Sequence, residues 1–67
     1  MTERFLSLRE VLGRTSLSKT HTYRLINAHL FPRPVPLGPH RVAFLESEVD
    51  GWMADRVAAR KVDSDVE

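Results

Sequence analysis

Residues 17–44, LSKTHTYRLINAHLFPRPVPLGPHRVAF, decide the fold of this 67-residue chain. The first part predicts a helix that follows an N-cap at Ser18 and runs to about His29. Apolar residues at helical spacing form its predicted buried stripe, which consists of Tyr23, Leu25, Ile26 and Leu30. Side chains that are basic or carry a hydroxyl or imidazole group remain for the exposed face: Lys19, Thr20, His21 and Arg24.

The second part of this stretch predicts a β-hairpin. Prolines at positions 32, 34 and 36 exclude a helix, because they lack the backbone donor and favour extended geometry. They suit an edge strand, which Gly38-Pro39-His40 would turn into a returning strand over residues 41–44. The side chains predicted to point toward the core are Val35, Leu37, Val42 and Phe44. A two-stranded ribbon is marginal alone, so it must lie against the helices.

A short helix is predicted on the N-terminal side. Ser7 and Glu10 have the spacing of a capping box, in which each side chain accepts a hydrogen bond from the other residue's amide. Gly13 is expected to end this helix. Phe5-Leu6 forms an apolar entry segment, and Leu17 anchors the connection to the second helix in the core.

A last helix is predicted to begin near Glu46 or Ser47, where acidic residues favour the positive end of the helix dipole. Its core-facing stripe is predicted to contain Val49, Trp52, Met53, Arg56 and Val57. We therefore expect one domain over residues 1–61 and a flexible acidic tail over residues 62–67.

These elements predict an α+β winged helix-turn-helix domain with three helices and a two-stranded antiparallel hairpin as the wing. Arginine and lysine can contact phosphates or guanine edges, and hydroxyls can contact either. We expect Lys19 and Arg24 to neutralise phosphates, while Thr20 and His21 approach base edges. Ser18 serves first as the N-cap and secondarily as a phosphate contact at the start of the helix.

Charge is distributed unevenly, although the net charge is only +1. Residues 1–45 carry seven basic and two acidic side chains, a net +5, whereas residues 46–67 carry three basic and seven acidic ones, a net −4. A polyanion would be attracted to the first part and repelled by the second. A basic module that binds an acidic protein partner without reading DNA sequence would show the same charge pattern and is the alternative interpretation.

Other functions find little support in the composition. No cysteine is present, the three histidines do not have zinc-site spacing, and no glycine-rich phosphate loop occurs, so neither a metal nor a cofactor is expected. Ser16 and Ser18 lack a nucleophile-base set, which argues against an enzyme. Because no apolar run approaches ~20 residues and no leader is apparent, we expect a soluble protein in a reducing, intracellular setting.

Four segments resemble the AlpA family of prophage regulators and the related small excisionases, which have MerR-like winged-helix domains. They cover nearly all of residues 4–60 and read RFLSLREV (4–11), LSKT (17–20) leading to YRLI (23–26), FPRPV (31–35) and ESEVDGW (46–52). The resemblance implies DNA contacts by Ser18, Lys19, Thr20, His21 and Arg24 on the helix and by His40 and Arg41 on the wing. To these we add Arg33, the basic residue of the proline-rich segment.

The same resemblance implies two biological outputs. One is transcriptional regulation of an integrase or excision gene of a mobile genetic element. The other is action as an excisionase, a recombination directionality factor that binds and bends DNA beside an attachment site. The implied partners are double-stranded DNA, further copies of the chain on adjacent sites, and an integrase. The implied location is the bacterial cytoplasm, in association with the nucleoid.

Overall fold

The computed structural model describes residues 3–60, which form three helices and three short strands. In chain order they are β1 (Phe5–Leu6), α1 (Leu8–Thr15), α2 (Lys19–Asn27), β2 (Val35–Gly38), β3 (Arg41–Leu45) and α3 (Glu46–Ala59). This layout confirms the predicted α+β winged helix-turn-helix fold with its antiparallel hairpin. The predicted acidic tail lies outside the described residues.

The sheet has the strand order β1-β3-β2, and both strand pairs are antiparallel. The hairpin was predicted, but the third strand, β1, was not. Its two residues, Phe5 and Leu6, pair with Leu45 and Phe44 of β3, and the amide of Glu46 extends the contact by donating to the carbonyl of Arg4 at 2.8 Å. A two-residue strand is too short to show any periodicity, so only its tertiary pairing defines it.

One hydrophobic core joins all the helices to the sheet. Its buried side chains are Leu6, Val11, Ile26, Phe31, Phe44 and Val49. The Phe31 ring lies edge-on to Phe44 and to Trp52, with centroid distances of 6.1 Å and 4.7 Å. Trp52 also donates a 2.7 Å hydrogen bond from Nε1 to the carbonyl of Leu30. Helix α3 is thereby attached to the segment that connects α2 to the wing.

Helix α1 begins as predicted and ends later than predicted. The Ser7–Glu10 capping box is present, with the amide of Glu10 donating to Ser7 Oγ at 3.1 Å and that of Ser7 to Glu10 Oε1 at 2.8 Å. The prediction that Gly13 ends the helix is wrong. The helix continues to Thr15, and Ser16 ends it in the left-handed region (φ 64°) while its amide donates to the carbonyl of Leu12.

Helix α2 ends at Asn27, two residues before the predicted end. Residue His29 has a left-handed φ of 63°, and its amide and that of Leu30 donate back to Ile26 and Leu25, which is the Schellman arrangement. The reversal of the chain turns Leu30 to the surface, where it is 62% exposed, so its predicted burial is wrong.

The inner face of α2 is also rotated from the predicted stripe. Thr22 is fully buried beside Ile26, whereas Tyr23 and Leu25 are only half-buried. The Thr22 hydroxyl donates to the Ser18 carbonyl at 2.9 Å, so its burial leaves no unsatisfied polar atom. A threonine whose hydroxyl is bonded within its own helix presents its methyl group to the core.

The wing is buried at its base and exposed at its tip. Ala43 and Phe44 are buried, whereas Leu37 and Val42 are 49% and 45% exposed, so the predicted inward placement of Leu37 and Val42 is wrong. Val42 shares a strand face with Phe44 but lies nearer the tip, beyond the cover of the helices. An irregular register between Pro36 and Gly38 interrupts the alternation of side chains at Leu37.

Helix α3 begins at Glu46, as predicted, and buries only the first half of its predicted stripe. Val49 is fully buried and Trp52 and Met53 are half-buried, whereas Arg56 is exposed and Val57 is 58% exposed. Every residue from Ala54 to Arg60 is exposed. The last turns of α3 therefore extend past the part of the domain that covers its apolar side.

Candidate nucleic-acid interface

Two hydrogen bonds to Ser18 fix the start of α2, where the side chains of residues 19–21 are exposed. Ser18 Oγ accepts from the amide of His21 at 3.1 Å, so Ser18 is the N-cap, as predicted. The Thr22 hydroxyl also contacts Ser18, because it donates to the Ser18 carbonyl at 2.9 Å. Because Thr22 and Ile26 face the core, the helical repeat places Thr20, Arg24 and Asn27 on the opposite, exposed side.

A shallow groove follows one edge of this exposed side. It is lined by Lys19, Thr20, Tyr23, Arg24 and Asn27. Three of these were predicted site residues: Lys19, Thr20 and Arg24. Asn27 was not predicted, although its spacing of three residues from Arg24 and seven from Thr20 places it on the same side and was readable from the sequence.

His21 is exposed but lines a different groove. That groove lies between α2 and α3 and is formed by Leu17, His21, Leu25, Leu30, Trp52 and Arg56. The structure therefore places His21 on the opposite edge of the exposed side from Lys19, with Arg24 between them around the helix. The four polar residues predicted for this face form two strips instead of one cluster.

The basic residues of the wing region are also separated. His40 and Arg41 are exposed where the hairpin turns between β2 and β3. Arg33 is exposed in the proline-rich connection and lines a third groove, together with Phe31, Val35, Trp52 and the acidic side chains of Glu48 and Asp55. The structure thus does not bring Arg33 to the grooves that α2 lines.

Ion pairs neutralise two of the basic residues in the first part of the chain. Arg14 contacts Glu46 at 2.8 Å and Asp50 at 3.1 Å, and Arg4 lies 3.8 Å from Glu46 and 3.9 Å from Glu10. Within residues 3–60, the remaining basic side chains of this part make no ion pair: Arg9, Lys19, Arg24, Arg33 and Arg41. The acidic start of α3 therefore attracts Arg4 and Arg14 and leaves the positive charges of α2 and the wing available.

The part of the chain that the structure describes contains no cluster of three or more histidine or acidic side chains placed to hold a metal ion. Over the same residues, no helix combines the length and the apolar character required to cross a lipid bilayer.

The fold and the exposed basic side chains of its second helix define this chain as a winged helix-turn-helix protein. Comparison with protein families identifies it more closely: residues 4–57 match the family model described as "Prophage CP4-57 regulatory protein (AlpA)". The chain belongs to this family of prophage regulatory proteins, which confirms the resemblance noted from its sequence.

A phage protein is similar to most of the chain. It is "Uncharacterized protein ORF88" of Enterobacteria phage P4, which is 49% identical over 59 residues, covering 88% of this chain and 67% of the phage protein. No solved structure matches the chain.

Proposed function

We propose that this chain is a sequence-specific double-stranded-DNA-binding protein of a mobile genetic element. The observation that carries the proposal is the exposed side of α2, where Lys19 and Arg24, which form no ion pair within residues 3–60, line one groove with Thr20. Cations and hydroxyls on one exposed side of a short helix are the groups that contact phosphates and base edges in a major groove. Membership of a prophage regulatory family supports the same conclusion.

In the proposed complex, α2 enters the major groove and the β2–β3 hairpin contacts the adjacent minor groove or backbone. Lys19 and Arg24 neutralise phosphates, while Thr20 and His21 approach base edges. Ser18 caps the helix and brings its first amides toward a phosphate. Arg33, His40 and Arg41 supply the contacts from the wing region.

Two biological outputs are compatible with this binding mode. In the first, the protein regulates transcription of an integrase or excision gene. In the second, it is a MerR-like excisionase, in which adjacent copies bind beside an attachment site, bend it and direct an integrase toward excision. The family description supports a regulatory role. Mapping the bound genomic sites would distinguish promoters from attachment sites.

The experiment that tests the proposal is a nuclear magnetic resonance titration of the full-length chain. The titrants are duplexes tiled across the attachment region and integrase promoter of its element, each compared with a scrambled duplex of equal composition. We expect amide shifts concentrated in residues 18–27 and at the hairpin turn, with tighter binding to one tile than to its scrambled form. Equal binding to every duplex would favour the alternative, a basic adaptor for an acidic partner. Undisturbed α2 amides would refute the proposed interface.

A further inference from the structure

Asn27 is exposed on the same side of α2 as Thr20. Its side chain makes no hydrogen bond within residues 3–60, and the helix is terminated by Ala28 and His29 instead. Asparagine is also a weaker helix former than alanine, so this residue does not favour the helix locally. Its exposed amide is therefore free to contact a ligand in the groove that it lines with Lys19, Thr20, Tyr23 and Arg24.

The helical repeat aligns Asn27 with Thr20. The two residues are seven positions apart, which is nearly two full turns, so their side chains differ by only ~20° around the axis and lie ~10 Å apart along it. This distance corresponds to about three base-pair steps of ~3.4 Å. Arg24 lies between them, and its longer side chain can extend to a phosphate at the edge of the groove.

The chemistry of the asparagine amide selects one base. Its oxygen and nitrogen present an acceptor and a donor side by side, which complements the N6 amino group and N7 of adenine in the major groove. We infer that Asn27 is a specificity-determining residue that reads an A·T base pair about three steps from the base pair that Thr20 contacts. This inference rests on the proposed entry of α2 into a major groove.

The test compares N27A, N27D and T20A with the wild-type full-length chain. Each protein selects from a library of duplexes randomised across the binding site, and the bound pool is sequenced. For N27A we expect the preference for A·T to disappear at one position only, with a roughly 5- to 150-fold loss of affinity for the preferred duplex. For N27D we expect cytosine to replace adenine there, because a carboxylate accepts from the cytosine amino group.

The variant T20A tests the spacing between the two base contacts. Its altered position should lie about two to four base pairs from the one that N27A changes, as the spacing along the helix requires. The variant R24A provides the contrast, since loss of a phosphate contact should lower binding to all sequences alike. Circular dichroism should show α2 intact in N27A, because alanine favours a helix.

Four results would overturn the inference. An N27A profile identical to the wild-type profile, or an equal loss on all sequences, would remove Asn27 from base readout and leave the proposed function standing. Retention of adenine by N27D would do the same. A wild-type chain that selects no sequence at all would refute the inference and the proposed function together.

Discussion

At the scale of single residues, Arg24 is expected to supply affinity without sequence information. It lies exposed on α2 and makes no ion pair within residues 3–60. We expect Arg24→Ala to weaken binding to cognate and scrambled duplexes by a similar factor, and to lower the dependence of log K on log salt by about 1. Titrations at several salt concentrations measure both quantities. The matched control is Arg60→Ala, which removes the same charge from the C-cap of α3, a residue that lines none of the three grooves described above. Equal effects of the two changes would mean that Arg24 acts only through net charge.

His21 is expected to affect which sequence is preferred. Its amide caps the helix by donating to Ser18 Oγ, so replacing the side chain leaves the cap intact. We expect His21→Ala to alter the selected sequence while changing the free energy of unfolding by less than about 0.5 kcal/mol. Selection from randomised duplexes and urea titration make the two measurements. A selected sequence that did not change would show that base readout lies elsewhere on α2.

Residue-level patterns predicted the cap of α2 better than its buried face. A serine before a helical run identified the N-cap at Ser18, because capping depends on neighbours three residues away. Thr22 was missed because its burial depends on which side of α2 meets the sheet, and its hydroxyl is satisfied only within the folded helix. The predicted contacts on α2 were confined to its first two turns, so they did not include Asn27.

At the scale of elements, the capping box of α1 should make stability depend on pH. The backbone amide of Ser7 holds the pKa of Glu10 below its ordinary value of about 4.5, helped by the Ser7 hydroxyl and by the positive charges of Arg4 and Arg14. A lowered pKa in the folded state means that the contribution is fully present above about pH 4.5. It is lost as the pH falls through the lowered value.

The control for this effect is Glu10→Gln, which keeps a side-chain oxygen as acceptor and does not titrate. We expect the difference in free energy of unfolding between the wild-type chain and this variant to be constant from pH 6 to 8 and to shrink below about pH 4.5. Urea denaturation at each pH provides the measurement. A difference that stayed constant down to pH 3 would contradict the contribution assigned to the ionised carboxylate.

Helix α3 depends on Trp52 for its attachment to the rest of the domain. The indole donates to the Leu30 carbonyl at 2.7 Å and packs against Phe31 at 4.7 Å. We expect Trp52→Phe, which keeps a ring but loses the donor, to cost about 1–2 kcal/mol, and Trp52→Ala to cost about 2–4 kcal/mol. A loss of 1 kcal/mol corresponds to a fall in Tm of about 4–8 °C in a domain of this size.

Thermal unfolding of these variants can be compared with that of Val57→Ala, an exposed change on the same helix. We expect this control to fall within about 0.5 kcal/mol of the wild-type chain. If Trp52→Phe were as stable as Val57→Ala, the hydrogen bond to Leu30 would contribute nothing measurable.

The elements that could be predicted are those whose signals are local. Proline spacing defined β2, the capping box defined the start of α1, and the acidic run defined the start of α3. Helix ends were less predictable, because α1 and α2 end at left-handed Ser16 and His29 and not at a glycine. Strand β1 and the exposed ends of the wing and α3 depend on which surfaces meet, and periodicity alone carries no information on that.

At the scale of the whole molecule, ion pairs between the two parts of the chain determine which basic side chains stay available to a ligand. Arg14 forms ion pairs with Glu46 and Asp50, and Arg4 lies near Glu46. Part of the net charge of +5 on residues 1–45 is therefore neutralised within the fold. What is left belongs largely to α2 and to the wing region. A small positive surface of this kind supports binding to a polyanion but supplies few base contacts, each worth ~1–3 kcal/mol.

Because each copy makes few base contacts, we expect copies to bind cooperatively on adjacent sites. A genome offers about 10⁶–10⁹ competing sites, so a single small domain gains useful specificity when neighbours bind together. We expect a duplex with two adjacent sites to bind the second copy at least about tenfold more tightly than an isolated site, which corresponds to ~1.4 kcal/mol of coupling. Inserting about five base pairs, half a turn of DNA, should abolish this gain because it moves the copies to opposite faces of the duplex.

Gel-shift titrations of the two duplexes measure the gain, and mass determination of the free chain shows whether association requires DNA. Strictly non-cooperative binding to adjacent sites, with a monomeric mass at high concentration, would contradict self-association and leave each copy acting alone.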